Sequence, residues 1–212
     1  VIDTGTDLLV DSIAVSRGGN SMVEDAHGKL WVACGGGGGT QPALYRIDPI
    51  ALDVEATFAF ASGSDSPWRL TTNGDHSVLY FLNDHVYRMA ITDGTLPASS
   101  FIAADGRNFY GLGVDPDNGT VYVADNATFQ LHRVDATTQA RTTVAGDLFS
   151  SNGVAIGPDG KIYVGSFGAG TVWEIPAGGG AARVFGTTPH AAMPSTAPCV
   201  GLGDEGPCSL MD

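Results

Sequence analysis

The residues best suited to binding chemistry in this sequence are aromatic, amide and hydroxyl side chains that stand where short apolar runs begin. They are Asn20, Ser66, Trp68, Phe109, Tyr110 and Asn152. The aromatic rings offer flat faces to a sugar ring or another planar ligand, although packing between sheets is the commoner use of such rings. The amide and hydroxyl groups can form hydrogen bonds. We call these six residues the predicted rim.

Catalytic and zinc chemistry have weaker support. No C-x-x-C pair occurs and the five His are scattered, so zinc-site spacing is absent from the sequence. No Lys-Ser/Thr pair follows the run Gly35–Gly39, which argues against a phosphate-binding loop. A Ser–His–Asp triad is defined by geometry that spacing does not reveal. We therefore name no catalytic residue and favour binding over catalysis.

The apolar runs form an internal repeat. Four segments each contain a strand, a turn with Gly and a second strand with a central aromatic residue: NSMVEDAHGKLWVACG, SPWRLTTNGDHSVLYFL, YGLGVDPDNGTVYVAD and NGVAIGPDGKIYVGS. The aromatic residues are Trp31, Tyr80, Tyr122 and Tyr163. A third run follows each time (LYRID, VYRMA, LHRVD, VWEIP), and then a fourth (VEATFAF, ASSFIAA, ARTTVAG, AARVFG).

This repeat predicts an all-β fold. Four strands in a period of about 41 to 49 residues are typical of β-propeller blades, and the start of each first strand then faces a common channel. A β-sandwich is the alternative, but it gives no reason for the repeated aromatic column. We predict a single domain over residues 1–212, with blades at 20–60, 66–104, 110–146 and 152–187.

The two chain ends resemble the two halves of one further blade. VGLGDEGPCSLMD resembles a first and second strand, and VIDTGTDLLVDSIAVS resembles a third and fourth. We therefore predict five blades, with a composite closing blade made from residues 198–212 and 1–16. The alternative is a fragment of a propeller with six or seven blades.

Charge and cysteine content limit the partners and the location. The net charge of −13 repels a phosphate backbone, so nucleic acid is not expected as a partner. No transmembrane segment is predicted, and no signal-peptide pattern precedes Val1, so an exported chain would already have lost its signal. Cys199 and Cys208 could form a disulfide across the closing blade in an oxidising compartment; three reduced cysteines are the alternative.

Two family resemblances follow from the quoted repeats. SNGVAIGPDGKIYVGS, YGLGVDPDNGTVYVADN and LYRIDPIALDVEATFAF resemble the repeats of YVTN-type bacterial surface propellers, which implies extracellular binding. NGVAIGPDGKIYV is also similar to gluconolactonase- and paraoxonase-like propellers, in which the Asn of this Asn-Gly pair helps to hold a catalytic calcium. That resemblance implies Asn152, Asn20 and Glu24 as metal ligands, although Ser66, Tyr110 and Cys199 stand where the family has acidic residues.

The function expected from the sequence is that of a secreted, periplasmic or cell-surface binding propeller without catalysis. Its partner would be a small molecule, a glycan or a protein, bound at the predicted rim, and no cofactor is required. One alternative is a calcium-dependent lactonase or esterase. Another is a structural subunit of an extracellular assembly.

Overall fold

The computed structural model describes residues 1–60 and 66–187, in which the chain forms β-strands joined by turns and loops. A two-stranded hairpin opens the chain, with β1 at Ile2–Asp3 and β2 at Leu8–Leu9. Four antiparallel sheets follow in chain order, and in each of them consecutive strands are neighbours. No helix among the described residues is long and apolar enough to cross a membrane.

Each of the four sheets is one blade. The first contains β3 (Gly19–Glu24), β4 (Leu30–Cys34), β5 (Ala43–Asp48) and β6 (Asp53–Ala59). The second contains β7 (Arg69–Thr72), β8 (Val78–Asn83) and β9 (His85–Ala90). The third contains β10 (Phe109–Val114), β11 (Val121–Asp125), β12 (Gln130–Val134) and β13 (Arg141–Ala145). The fourth contains β14 (Ser151–Ile156), β15 (Ile162–Ser166), β16 (Thr171–Ile175) and β17 (Arg183–Thr187).

The second blade differs from the prediction because its fourth run, ASSFIAA, forms a single bridge, Val86 to Ile102, instead of a strand. A histidine ring replaces the backbone carbonyl that would accept the next hydrogen bond. The backbone N–H of Ala104 donates to Nδ1 of His85 at 2.9 Å. A side chain thus satisfies the donor that a further ladder bond would have used, and the edge stays short.

The core lies between the blades, and the second strand β8 shows this because it is buried on both faces. In β8, Leu79 and Phe81 pack in the cluster shared with the first blade, whereas Tyr80 and Leu82 pack in the cluster shared with the third. Successive side chains of a strand point to opposite faces, so an inner blade is buried on both faces. The second strand of an inner blade therefore consists of a nearly continuous apolar run, as VLYFL in β8.

The turn after each first strand depends on one residue with a left-handed backbone. Gly28, Gly119 and Gly160 hold this position with φ between 71° and 73° in the first, third and fourth blades. In the second blade His76 holds it at φ 59°, although the sequence offers Gly74 nearby. Gly74 has a different reason to be glycine: a Cβ on it would lie 1.9 Å from the carbonyl oxygen of Pro116 in the next blade.

The predicted closing blade is described only at its N-terminal half. Residues 1–10 form the hairpin and are exposed, and the backbone is tied to the first blade further on, where Ser16 N–H donates to the Tyr45 hydroxyl at 3.2 Å. Residues 198–212, with Cys199 and Cys208, lie outside the described residues. The composite blade and its disulfide therefore remain predictions.

Candidate functional site

An aligned β-bulge at the start of the first strands carries the predicted rim. The pairing register shifts between Gly19 and Ser21, between Phe109 and Gly111, and between Ser151 and Gly153. The extra residues in these three bulges are Asn20, Tyr110 and Asn152. A bulge turns a side chain away from its regular position in the pleat. The three residues are therefore placed at the same end of the inner strands by one repeated backbone irregularity.

In the second blade the equivalent residue is Trp68, not Ser66. The strand registers align Thr71, which faces Tyr80, with Gly113, which faces Tyr122. Counting three residues back from each gives Trp68 and Tyr110. Their rings lie side by side, with centroids 5.6 Å apart and planes tilted by 31°. The ring of Tyr110 is 40% exposed, while Trp68 packs against the core below it.

Arg69 also lies at the rim, although its position in the sequence does not predict it there. Its Nε donates to the backbone carbonyl of Asn152 at 3.2 Å, and its Nη2 donates to Oδ1 of the same residue. Its Nη1 donates to the carbonyl of Trp68 at 3.2 Å. Burial lowers the pKa of Arg69, but a guanidinium keeps its proton in proteins, so a positive charge lies beside Asn152.

The signal for Arg69 was present in the repeat. The aligned registers place Arg69 in one column with Ser21, Gly111 and Gly153, which are small residues. A large charged residue in a column of small inner-strand residues indicates a side chain that reaches beyond its own blade, as Arg69 does to Asn152. That signal becomes visible only when the strands are aligned residue by residue.

The other rim residues are placed differently from one another. Asn20 donates through Nδ2 to the carbonyl of Pro67 at 3.1 Å, and the Ser66 hydroxyl donates to the carbonyl of Gly35 at 3.4 Å. Both bonds connect the first and second blades. Phe109 is only 1% exposed and belongs to the core between the second and third blades. The bulge sends Tyr110 outward and leaves Phe109 inside, so Phe109 does not offer a face to a ligand.

The calcium ligands implied by the resemblance do not come together. Asn20 and Glu24 stand on one extended strand about 13 Å apart along its axis, whereas Ca²⁺ needs its oxygens at about 2.3–2.6 Å. Oδ1 of Asn152 already accepts a hydrogen bond from the positive Arg69. No three His, Cys, Asp or Glu side chains within residues 1–60 and 66–187 are grouped so as to hold a metal ion. Asn20, Glu24 and Asn152 thus do not fit calcium in this arrangement.

A buried ionic cluster beside the rim fixes the loops of the third blade. Asp125 is fully buried and accepts hydrogen bonds from the backbone N–H groups of Asn108 and Ala127 and from the Thr128 hydroxyl at 2.6 Å. Burial alone would raise the pKa of Asp125, but these bonds outweigh burial and lower it. Nε of Arg107 lies 3.6 Å from its carboxylate.

His132 is the second buried group in this cluster. Its Nε2 lies 3.7 Å from Oδ2 of Asp125 and its Nδ1 lies 3.2 Å from the Thr143 hydroxyl. Burial, and then the charge of Arg107, lower the pKa of His132, and the opposing effect of Asp125 does not offset this lowering. The ring is therefore neutral at pH 7, and its contact with Asp125 is not an ion pair there.

A polar cavity of about 450 Å³ opens at the opposite end, between the turns of the third and fourth blades. Its lining includes Asp115, Asp117, Asn118, Tyr122, Arg133 and Asp159. Asp115 accepts hydrogen bonds from the backbone of Asp117 and from Nδ2 of Asn118. These bonds belong to the turn itself, so the acidic lining has a structural explanation.

No family model and no curated protein matches the chain. Solved structures do match. A protein assigned as a gluconolactonase has 19% identity and a TM-score of 0.62, with 80% of this chain and 63% of that chain covered. An auxiliary nutrient binding protein from Bacteroides thetaiotaomicron has 15% identity and a TM-score of 0.61, with 80% and 42% covered. The extracellular domain of a protein assigned as a one-component system, from the same organism, has 16% identity and a TM-score of 0.60, with 84% and 26% covered.

The fold is a β-propeller. Identities this low show the fold alone, and the chain spans less than two thirds of each of these structures. The similar propellers include gluconolactonase-like, nutrient-binding and extracellular proteins, as the sequence resemblances implied, whereas a YVTN-type repeat is not singled out among them. The number of blades stays a prediction.

Proposed function

We propose that this chain is a non-catalytic binding propeller located outside the cytoplasm, which takes its ligand at the rim. The observation that carries the proposal is the aligned set of Asn20, Trp68, Tyr110 and Asn152 at one end of the inner strands. Binding sites are commonly concave and apolar, with a few convergent polar groups. This set offers one exposed aromatic residue, Tyr110, and two amides at the same end of the strands.

The same residues argue for binding without catalysis. None of the rim residues that the structure describes carries a carboxylate or an imidazole, and these are the usual groups for general acid or base catalysis. The charged side chain at the rim is Arg69, which is held by Asn152 and Trp68. Its positive charge repels a divalent cation at the position that a calcium-dependent lactonase would require.

A neutral glycan is the partner that these groups favour among small molecules, glycans and proteins. The Tyr110 ring can pack against the apolar face of a sugar, while Asn20 can hydrogen-bond its hydroxyl groups. The similarity to an auxiliary nutrient binding protein and to an extracellular domain supports a location outside the cytoplasm.

A glycan array of neutral oligosaccharides tests the proposed binding. We expect the labelled chain to bind one group of glycans and Tyr110→Ala to lose at least about tenfold of that affinity, since aromatic anchors in such sites contribute about 1.4 kcal/mol or more. Phe185→Ala is the matched control, because Phe185 is an exposed ring on the outer strand β17. Binding that is absent, or that Tyr110→Ala leaves unchanged, contradicts the proposal.

A separate assay tests the absence of lactonase activity. The chain is mixed with gluconolactone in the presence of CaCl₂ or of EDTA, and lactone hydrolysis is followed by acid release. We expect the rate of the buffer alone in both conditions. Saturable hydrolysis that requires calcium and is lost in Asn152→Ala would establish the enzyme instead.

A further inference from the structure

Three phenylalanines lie exposed beside the rim, on the loops of the third and fourth blades. Phe129 connects β11 to β12, Phe149 precedes β14, and Phe167 connects β15 to β16. These residues are 38%, 54% and 64% exposed, respectively. The rings of Phe129 and Phe149 lie 4.6 Å apart between centroids, tilted by 39°. We call these three residues the phenyl patch.

Hydrogen bonds between the three loops hold the phenyl patch in place. The N–H of Leu148 donates to the carbonyl of Phe129 at 2.9 Å. The Ser166 hydroxyl donates to the carbonyl of Phe149 at 2.7 Å, and the N–H of Phe167 donates to the carbonyl of Ser150 at 3.1 Å. Exposed rings on fixed backbones lose little conformational entropy when they bind, so the patch is preorganised.

The backbone of these loops is unfavourable for the residues that it carries. Phe129 has φ 55°, Asp147 has φ 60° and Ser150 has φ 52°. Glycine would adopt this left-handed conformation without strain, whereas a bulky residue such as phenylalanine does so rarely. Phe129 therefore combines a strained backbone with an exposed apolar ring. Strained residues of this kind concentrate at ligand sites.

The charges around the patch select the type of ligand. The loops 126–129, 147–150 and 167–170 contain one charged residue, the exposed Asp147, and no Lys or Arg. Arg107, on the adjoining loop, lies 3.6 Å from the Asp125 carboxylate, and Arg69 donates to Asn152. Aromatic faces carry negative charge density, and the chain as a whole carries a net charge of −13.

We propose that the phenyl patch, together with Asp147, binds a small organic cation of the quaternary ammonium type. The methyl groups of such a cation can pack on the phenyl faces while its charge is attracted by both the rings and the carboxylate. The patch shares no residue with the rim. Binding at the phenyl patch can therefore be tested independently of the function proposed for the rim.

Calorimetric titration with choline tests the site, and 3,3-dimethylbutan-1-ol, which has the same shape without the charge, is the matched probe. We expect choline to bind saturably, and the neutral alcohol to bind at least about fivefold more weakly. Phe149→Leu, which stays apolar but loses the ring, should weaken choline binding about fivefold. Phe149→Trp should strengthen it, because indole is the best partner for a cation.

Two further variants complete the test. Asp147→Asn should weaken choline binding about two- to threefold and leave the alcohol unaffected, whereas Phe185→Ala should change neither. Melting curves establish that each variant is folded. The proposal is overturned if choline does not bind, if both probes bind equally, or if the Phe149 and Asp147 variants bind choline like the unmodified chain.

Discussion

The guanidinium of Arg69 donates hydrogen bonds to both oxygens of Asn152, the backbone carbonyl and the side-chain Oδ1. The two residues belong to the inner strands of the second and fourth blades, which are not neighbours. The bond pair therefore connects the second blade directly to the fourth. In this structure Asn152 accepts from a cation of the protein itself and is not free to ligate a metal ion.

We expect the Arg69–Asn152 contact to stabilise the fold. Asn152→Ala removes one acceptor of a largely buried guanidinium, which should lower the free energy of unfolding by about 1.5–3 kcal/mol. Arg69→Met should lower the free energy of unfolding by a similar amount. Urea denaturation of both single variants and the double variant measures the coupling, which we expect to be about 1–3 kcal/mol. Additive single effects would show that the contact contributes nothing.

Gly111 allows the fourth blade to approach the third beside this contact. A Cβ on Gly111 would lie 2.9 Å from Cγ2 of Val154 and 3.0 Å from Cβ of Ala124. We expect Gly111→Ala to lower the free energy of unfolding by about 1–3 kcal/mol through overpacking. Gly146→Ala is the control, because a Cβ there meets nothing within 4 Å. Equal effects of the two substitutions on urea denaturation would contradict this explanation.

The fold can be predicted from the sequence, because radial packing imposes the same strand pattern on every blade. The turn glycines and the aromatic column follow directly from it. The second blade shows the limit of this reading. There Gly74 stands in the turn for its close approach to Pro116, and His76 adopts the left-handed backbone. Sequence spacing alone does not show whether a turn glycine is required by a close contact or by a left-handed backbone.

The candidate site was readable only in part. The start of each first strand predicts Asn20, Tyr110 and Asn152 at the site, but the bulge that displays them is a backbone feature. A shift of one residue reverses which side chains face the core. For that reason Phe109 is buried although its position in the sequence predicts it at the rim, and sequence position does not predict Arg69, which reaches Asn152 of the fourth blade.

The lowered pKa of His132 predicts a smaller free energy of unfolding in mild acid. Because the folded chain lowers the pKa of His132 below its ordinary value of 6.5, the unfolded chain binds the proton more readily. The stability is therefore fully present above about pH 6.5 and declines as the pH falls through that value, by at most about 1.4 kcal/mol per pH unit. Asp125, whose pKa is also lowered, adds a further loss below about pH 4.

The free energy of unfolding at pH 7.5 and at pH 5.5 measures the histidine effect. We expect a smaller difference between the two values in His132→Phe than in the unmodified chain. His27→Gln, at an exposed position, is the control and should retain the difference. If His132→Phe also retains it, another group is responsible.

We continue to propose a disulfide between Cys199 and Cys208, while Cys34 is a buried free thiol. Alkylation of the denatured chain without reductant should label one cysteine, and alkylation after reduction should label three. Intact mass distinguishes the two cases directly. Three labels without reductant would show that the cysteines are reduced.

The proposed closing blade makes a prediction about the two chain ends together. In the described residues, the hairpin 1–10 is exposed and contributes little packing, so its deletion should be nearly neutral if it pairs with nothing. If residues 198–212 pair with it, deletion of residues 1–10 leaves an open sheet edge and should lower the melting temperature and promote aggregation. Deletion of residues 198–212 should have the same effects. Both deletions together should lower the melting temperature little more than either one alone. Scanning calorimetry of the three truncated chains checks this, and Ser16 is kept in all of them because it contacts Tyr45. Independent effects that simply add would show that the ends do not form one blade.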